Sequence, residues 1–246
     1  MSARSTPCGA AALLAVLALL AACREAPVPA PVQTPVQSPA GVAATPAPPA
    51  SAPGFDAVVH GALQPGDPQL QLTLHAAAAP GDSGVLQVRA ITVQRAGDAQ
   101  PLQRIEGLDT QTPVVDGQPL VELLDMDFDG RADLRLVAER TAGPNTPYLH
   151  WLWDAAGQRF VANAALDALS TTRFDPATRQ VVADWRDGPA RYGSDTHAWR
   201  NGQLLPLQRE ERLYSAPGRY TLKRYRWVAG AAGGTWQLQS QRAGRD

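Results

Sequence analysis

Four aspartates lie in one short segment near the middle of the chain, at the spacing of a metal-binding loop. The segment, residues 125–133, reads Asp-Met-Asp-Phe-Asp-Gly-Arg-Ala-Asp. Carboxylates at loop positions 1, 3, 5 and 9, a glycine at position 6 for the sharp turn and a main-chain carbonyl at position 7 form a calcium-binding pattern. The predicted ligands are the side chains of Asp125, Asp127, Asp129 and Asp133 and the main-chain oxygen of Arg131.

Electrostatics favours a bound cation over the alternative, a solvated acidic turn. Two unit charges about 4 Å apart repel by about 4 kcal/mol at an effective dielectric of about 20, and this loop gathers four. Oxygen ligands with no nearby histidine or cysteine select calcium rather than zinc or copper. The sequence therefore predicts one Ca²⁺ ion with a structural role. The loop lacks the glutamate and flanking helices of an EF-hand, and it resembles the calcium loops between strands in FG-GAP modules.

The acidic loop belongs to a region, residues 55–246, in which the hydrophobic pattern is that of strands. Residues 70–74 alternate leucine with glutamine and threonine, which is the period-two pattern of a half-buried strand. Asn201-Gly202 lies between two further strand candidates and favours a two-residue hairpin turn. One helix of about two turns is expected around residues 163–169. We predict an all-β fold for this head, a single β-sandwich-like or barrel-like domain with one calcium loop.

The first 22 residues have the layout of a secretory signal peptide. Arg4 precedes an uncharged stretch in which residues 10–20 are only Ala, Leu and Val. This run is shorter than the ~20 apolar residues that a spanning helix requires, so a permanent transmembrane anchor is the less favoured alternative. The run ends Leu20-Ala21-Ala22-Cys23, which resembles the lipobox of bacterial lipoproteins. The resemblance implies cleavage before Cys23 and lipidation of its sulfur, and Arg24 in place of aspartate implies the inner leaflet of the outer membrane.

Residues 23–54 form a Pro/Ala-rich linker between the lipidated cysteine and the head. From residue 26 to residue 54 the chain has nine prolines and no charged side chain. This composition cannot bury a core, and its prolines favour extended polyproline II structure of ~3.1 Å per residue. We therefore expect a disordered, semi-rigid stalk.

Charge and cysteine content exclude several classes of function. Lys plus Arg number 22 against 23 Asp plus Glu, a net charge of −1, which argues against a nucleic-acid or polybasic membrane partner. The two cysteines, Cys8 and Cys23, precede the head, so no disulfide and no cysteine-based zinc site can form within it.

No set of residues forms a recognisable catalytic constellation. The four histidines lack metal-ligand spacing, and Glu210 and Glu211 should point to opposite faces of a strand. A hydrolase is the alternative, and it requires a deep pocket that holds His197 with a carboxylate and a serine.

A Gly-containing segment after Asp187 is predicted to bind a partner. A tyrosine among small neighbours provides a large contact area at low entropic cost. We predict a protruding loop, with an ordinary connection as the alternative. Its contact residues are Arg191, Tyr192, Gly193 and Ser194.

A longer pattern combines the acidic loop with several aromatic segments. These are Tyr148 to Asp154 (Tyr-Leu-His-Trp-Leu-Trp-Asp), Phe160, Leu166, Leu169 and Trp199-Arg200-Asn201-Gly202-Gln203-Leu204. The pattern resembles a family of periplasmic lipoproteins that act as immunity proteins against peptidoglycan-cleaving effectors of bacteria-killing type IV secretion systems. That family is similar in fold to the periplasmic inhibitors of I-type lysozyme. The resemblance implies a calcium-binding head that blocks a glycoside hydrolase by inserting a loop into its active site, where such inhibitors carry Ser-Gly-x-Tyr and this chain has Tyr192-Gly193-Ser194.

The sequence thus predicts a non-enzymatic, lipid-anchored periplasmic protein that inhibits a lysozyme-like effector and acts as an immunity protein. The alternative is a calcium-stabilised envelope binding or scaffold lipoprotein without inhibitory activity. A shallow aromatic surface in place of a protruding Tyr192 loop would favour that alternative.

Overall fold

Antiparallel strands account for most of the described chain. The computed structural model describes residues 54–79, 81–230 and 233–246, so the predicted signal peptide, Cys23 and the linker up to residue 53 lie outside the described residues. None of the helices in the described part is long and apolar enough to span a membrane. The elements are β1 (Gly54–Gly61), β2 (Leu70–Ala79), β3 (Asp82–Arg95), β4 (Gln103–Ile105), β5 (Thr110–Val115), β6 (Gln118–Pro119), β7 (Val121–Leu124), β8 (Asp133–Val137), β9 (Tyr148–Asp154), β10 (Arg159–Ala162), α1 (Ala164–Asp167), β11 (Thr172–Asp175), β12 (Gln180–Asp187), β13 (Arg191–Arg200), β14 (Gln203–Ala216), β15 (Arg219–Gly230) and β16 (Gly233–Arg245).

The strands form three antiparallel sheets in which most neighbours in space are also neighbours in sequence. The first sheet has the order β1-β2-β3-β5-β6, with β4 paired to β3. The second has the order β10-β9-β8-β7, and the third runs from β11 to β16 in sequence order. Short turns dictate this arrangement, because they can join only antiparallel neighbours.

The second sheet contributes side chains to two hydrophobic clusters. Trp151 and Trp153 of β9 join Leu72 of the first sheet in the larger cluster. Leu152, between them in sequence, joins the other cluster together with Val181 of the third sheet. This alternation follows from the period of two along a strand, and full burial of such a side chain contributes about 1.5–3 kcal/mol. The predicted all-β, sandwich-like fold is confirmed.

Two local predictions can be compared directly with the structure. Asn201 and Gly202 have φ of 51° and 74° and form a two-residue turn between β13 and β14, as predicted. The helix is shorter than predicted, because only Ala164–Asp167 is helical. Asn163 caps its amino terminus by accepting a hydrogen bond from the Leu166 amide at 3.0 Å, and the buried Leu166 side chain anchors it.

Candidate functional site

The acidic loop joins the paired strands β7 and β8. Leu124 pairs with Asp133, so the loop is closed at its base by the strand ladder. Gly130, at loop position 6, has a φ of 91°, a conformation that glycine adopts without steric cost. Phe128 also has a positive φ, of 64°. The Gly130 carbonyl accepts a hydrogen bond from Gln64 Nε2 at 2.9 Å, which ties the turn to the segment after β1.

Three of the four predicted carboxylate ligands lie together. One oxygen each of Asp125, Asp127 and Asp133 can be chosen so that all lie within 4.8 Å of one another. The Asp129 carboxylate is engaged instead with Arg131: its Oδ1 accepts the Arg131 amide at 2.7 Å, and its Oδ2 lies 3.5 Å from the guanidinium. The structure therefore groups positions 1, 3 and 9 of the loop, while Asp129 lies outside that group.

Backbone amides hold the grouped carboxylates inside the turn. Asp125 accepts hydrogen bonds from the amides of Asp129 at 3.1 Å and Gly130 at 2.9 Å. Asp127 Oδ1 also accepts from the Asp129 amide, at 3.1 Å. Because these contacts fix the carboxylates before any ligand arrives, an ion would meet a preorganised set of oxygens.

Asp133 is a buried carboxylate with both oxygens occupied by backbone donors. Asp133 is only 1% exposed, and its carboxylate accepts hydrogen bonds from the amides of Met126 at 2.7 Å and Trp153 at 2.8 Å. Burial raises the pKa of Asp133 to about 7, against the lowering effect of these two amides, and the negative charges of Asp127 and Asp129 add to the rise. Burial also raises the pKa of Asp127, with the Asp129 charge as the next cause. A bound cation would offset both the desolvation and the repulsion.

The donor set fits a hard divalent cation. All three grouped side chains offer carboxylate oxygens, the ligand type that calcium prefers, and none of the four described histidines belongs to the group. The apolar side chains of Met126 and Phe128 are buried beneath the loop and hold its backbone against the second hydrophobic cluster. The donor set therefore fits a calcium ion, and calcium binding itself stays a prediction.

The predicted protruding loop is a strand in the structure. Arg191, Tyr192, Gly193 and Ser194 are the first residues of β13, which pairs with β12 on one side and β14 on the other. Gly188, with φ of 74°, allows residues 188–190 to form the whole turn between β12 and β13. The residues that follow are therefore extended and pair with the neighbouring strands. The predicted loop conformation was wrong for this reason. The role of these four residues in partner binding stays a prediction.

The four residues face opposite sides of the third sheet. Tyr192 lies beside Tyr214 with ring centroids 5.5 Å apart, and Tyr214 lies 5.3 Å from Tyr220. We call these three side chains the tyrosine face. Arg191 and Gly193 point to the other side, where both lie against Trp185. Sequence reasoning missed Tyr214, because its proximity to Tyr192 depends on the register between β13 and β14.

Gly193 makes room for the Trp185 indole. A Cβ at this position would lie 1.9 Å from Cζ2 of Trp185, because the indole ring covers the glycine. Trp185 Nε1 donates to Asp195 Oδ1 at 3.1 Å, and the guanidinium of Arg209 lies 5.4 Å from the ring centroid. The glycine is therefore needed for packing on the side opposite the tyrosine face.

Substituting Gly193 by alanine is expected to lower the free energy of unfolding by about 1–3 kcal/mol, because the added methyl group displaces the indole ring. Denaturant unfolding followed by tryptophan fluorescence measures the effect. Gly143→Ala is the matched control, since a Cβ there meets nothing within 4 Å, and it should change stability by no more than about 0.5 kcal/mol. Equal stabilities of the two variants would contradict this account of Gly193.

Two of the histidines, His150 and His197, are buried within strands β9 and β13. His150 is fully buried, with Nδ1 3.0 Å from Asp167 and Nε2 3.3 Å from Thr172. His197 is 8% exposed, and its Nδ1 has no hydrogen-bond partner among the described residues. The neighbouring Asp195 is held by two hydrogen bonds from Arg209. The pocket beside Tyr192 is lined by Ser194 and two carboxylates but not by His197, so it lacks the arrangement that the hydrolase alternative requires.

Burial of His197 predicts a pH dependence of stability. Desolvation lowers the pKa of His197 below its ordinary value of 6.5, although the charge of Asp195 opposes the shift and that of Arg209 reinforces it. The unfolded chain therefore binds a proton near pH 6.5 that the folded chain rejects, so stability is complete above that pH and falls below it. Compared at about pH 8 and about pH 5.5, His197→Gln should lose less stability on acidification than the unsubstituted protein does. His60→Gln, at an exposed position, is the control, and an unchanged pH dependence in His197→Gln would contradict the prediction.

Comparison with known proteins supports the fold. The chain is similar to a solved structure described as "a Xanthomonas Type IV Secretion System related protein", with a TM-score of 0.56 and 16% sequence identity. The match covers 74% of this chain and 93% of that one. At this identity the likeness shows a shared fold. No family model and no curated protein matches the chain.

Proposed function

We propose that this protein is a periplasmic lipoprotein that inhibits a lysozyme-like peptidoglycan hydrolase effector and acts as an immunity protein. The lipobox at Cys23 supports a lipid anchor, Arg24 after it supports the inner leaflet of the outer membrane, and the Pro/Ala-rich linker supports a head held away from the lipid. The fold that the head shares with a type IV secretion system related protein agrees with this class of function. The protein acts by stoichiometric binding and not by catalysis.

The tyrosine face and the turn beside it carry the proposal. The Tyr192 hydroxyl donates to the Pro189 carbonyl at 3.3 Å, and the Tyr214 amide donates to the Ala190 carbonyl at 2.8 Å. These contacts fix the turn at residues 188–190 against the aromatic rings. A preordered turn can enter a cleft without the entropic penalty of ordering a flexible loop, and tyrosines are enriched among the residues that dominate binding energy.

The acidic loop has a structural part in this proposal. We propose that Asp125, Asp127 and Asp133 hold one Ca²⁺ ion, which would supply positive charge between the ends of β7 and β8. The ion would stabilise the hairpin in a head that contains no cysteine.

The first experiment is peptidoglycan lysis by a panel of lysozymes and muramidase-like effectors from the same genome, with and without this protein, in calcium and in chelator. We expect calcium-dependent loss of lysis with one enzyme. Tyr192→Ala should weaken that inhibition by about thirtyfold or more, the effect of losing a residue worth ~2 kcal/mol. Leu238→Ala, which removes a side chain 52% exposed on β16, is the control and should inhibit normally.

A binding or scaffold lipoprotein is the second candidate, and one observation favours it. Tyr192 lies on a sheet face beside other aromatic rings instead of on a protruding loop. Normal lysis by every enzyme in the panel, with the protein folded and calcium present, would overturn the inhibitor proposal and favour this candidate.

A further inference from the structure

A pocket of about 350 Å³ opens on the tyrosine face. Its size lies at the lower end of the range for small-ligand sites. The side chains that decide its chemistry are two tyrosines, two arginines and two acids: Tyr192, Tyr214, Arg186, Arg212, Asp184 and Glu210. They come from the adjacent strands β12, β13 and β14, so a rigid sheet positions them.

Arginines outside the pocket already pair with both acids. Arg173 lies 2.9 Å from Asp184, and Arg224 lies 2.9 Å from Glu210, and neither of these arginines lines the pocket. Each pair is formally neutral. The acids can still accept hydrogen bonds from hydroxyl groups through their remaining lone pairs.

The two arginines of the pocket lack equivalent partners. Arg186 donates from Nε to the Gly188 carbonyl at 2.8 Å, its guanidinium lies 4.8 Å from the Tyr192 ring centroid, and no ion pair joins it to a carboxylate of the described chain. Arg212 lies 3.9 Å from Glu210, a carboxylate that Arg224 holds more closely. Among the side chains that line the pocket, the charge left without a close partner is therefore positive; the Asp246 carboxylate lies outside this lining and accepts from the Tyr214 hydroxyl at 2.8 Å.

The tyrosine rings supply an apolar wall. Tyr192 and Tyr214 meet edge to face, with an interplanar angle of 72°, and both are half-buried. A wall of this kind suits the apolar C–H face of a sugar ring, while the surrounding polar groups suit its hydroxyls. A guanidinium binds a carboxylate through two parallel hydrogen bonds, so the two arginines of the pocket suit a carboxylate-bearing ligand.

We propose that this pocket binds a carboxylate-bearing amino sugar of the N-acetylmuramic acid type. The guanidinium groups of Arg186 and Arg212 hold the carboxylate, and the sugar ring packs against Tyr192 and Tyr214. Binding of this kind goes beyond the proposed inhibition, because it needs no enzyme. The ligand must carry a free lactyl carboxylate, as a muramic acid residue without its stem peptide does.

Calorimetric titration of the full chain with N-acetylmuramic acid tests the proposal, with N-acetylglucosamine as the neutral probe that lacks the lactyl carboxylate. We expect the acidic sugar to bind at least about tenfold more tightly, an advantage that falls as salt is raised. Arg186→Gln and Arg212→Gln should each remove most of that advantage. Arg226→Gln is the matched control, since Arg226 is an exposed arginine on β15 outside the pocket, and it should bind normally.

Three results would overturn the sugar site: equal affinity for the two sugars, no detectable binding of either, or tighter binding of an acidic glutamate-containing peptide than of N-acetylmuramic acid. The last result would indicate a protein ligand. Because the titration contains no enzyme, its failure leaves the lysis assay as an independent test of inhibition. Conversely, sugar binding without inhibition of any enzyme would support this site and overturn the inhibitor proposal.

Discussion

Asp133→Ala is expected to lower the free energy of unfolding by about 3–5 kcal/mol, the largest effect of any substitution in the acidic loop. The carboxylate is 1% exposed and accepts from the buried amides of Met126 and Trp153. Alanine leaves both donors without partners, and each unsatisfied buried donor costs about 1–3 kcal/mol. The loss should be seen in chelator as well as in calcium, because these two bonds do not require a metal.

Denaturant unfolding in chelator measures the metal-independent part of this effect. Asp129→Ala is the control within the same loop, because the Asp129 carboxylate is outside the grouped ligands and contacts the exposed Arg131. Its loss should cost no more than about 1 kcal/mol. An Asp133→Ala protein within about 1 kcal/mol of the unsubstituted chain would contradict the assigned role of the two amide bonds.

Removal of calcium is expected to lower the melting temperature of the protein by about 5–10 °C. A ligand present at 100 times its dissociation constant stabilises the folded state by about 2.7 kcal/mol, and 1 kcal/mol shifts the midpoint by about 2–4 °C at this chain length. Asp127→Ala should abolish the difference between the two conditions, because it removes one of the three grouped carboxylates. Within the loop, the Asp127 carboxylate accepts one hydrogen bond, from the Asp129 amide. Most of the contribution of Asp127 to stability should therefore depend on the bound ion.

Thermal melting in calcium and in chelator checks this expectation. Asp98→Ala, at an exposed turn outside the acidic loop, should retain the full calcium-dependent shift. Equal melting curves of the unsubstituted chain with and without calcium would contradict the prediction that this protein binds calcium. The two aspartates thus separate two contributions to stability. Loss of Asp133 should destabilise the protein in calcium and in chelator, whereas loss of Asp127 should do so chiefly when calcium is present.

The sequence by itself was sufficient for features that depend on nearby residues. The turn at Gly130 and the hairpin at Asn201-Gly202 follow from local backbone preferences, and both have the positive φ that such turns require. The alternation of leucine in residues 70–74 predicted a half-buried strand for the same reason, because the period of two is a property of the strand alone. Local patterns of this kind also sufficed for the all-β class.

Only the tertiary structure decided which distant residues meet. Tyr192 lies beside Tyr214 because β13 pairs with β14 in a register that includes a shift between Thr196 and His197. A shift of one residue would move an entire set of side chains to the other face, and no local pattern specifies it. The Trp153 amide reaches Asp133 for a similar reason, since it belongs to a neighbouring strand of the second sheet. Side-chain types and their local spacing can be read from short segments of the sequence. The tyrosine face, its pocket and the burial of Asp133 instead arise from long-range strand pairing.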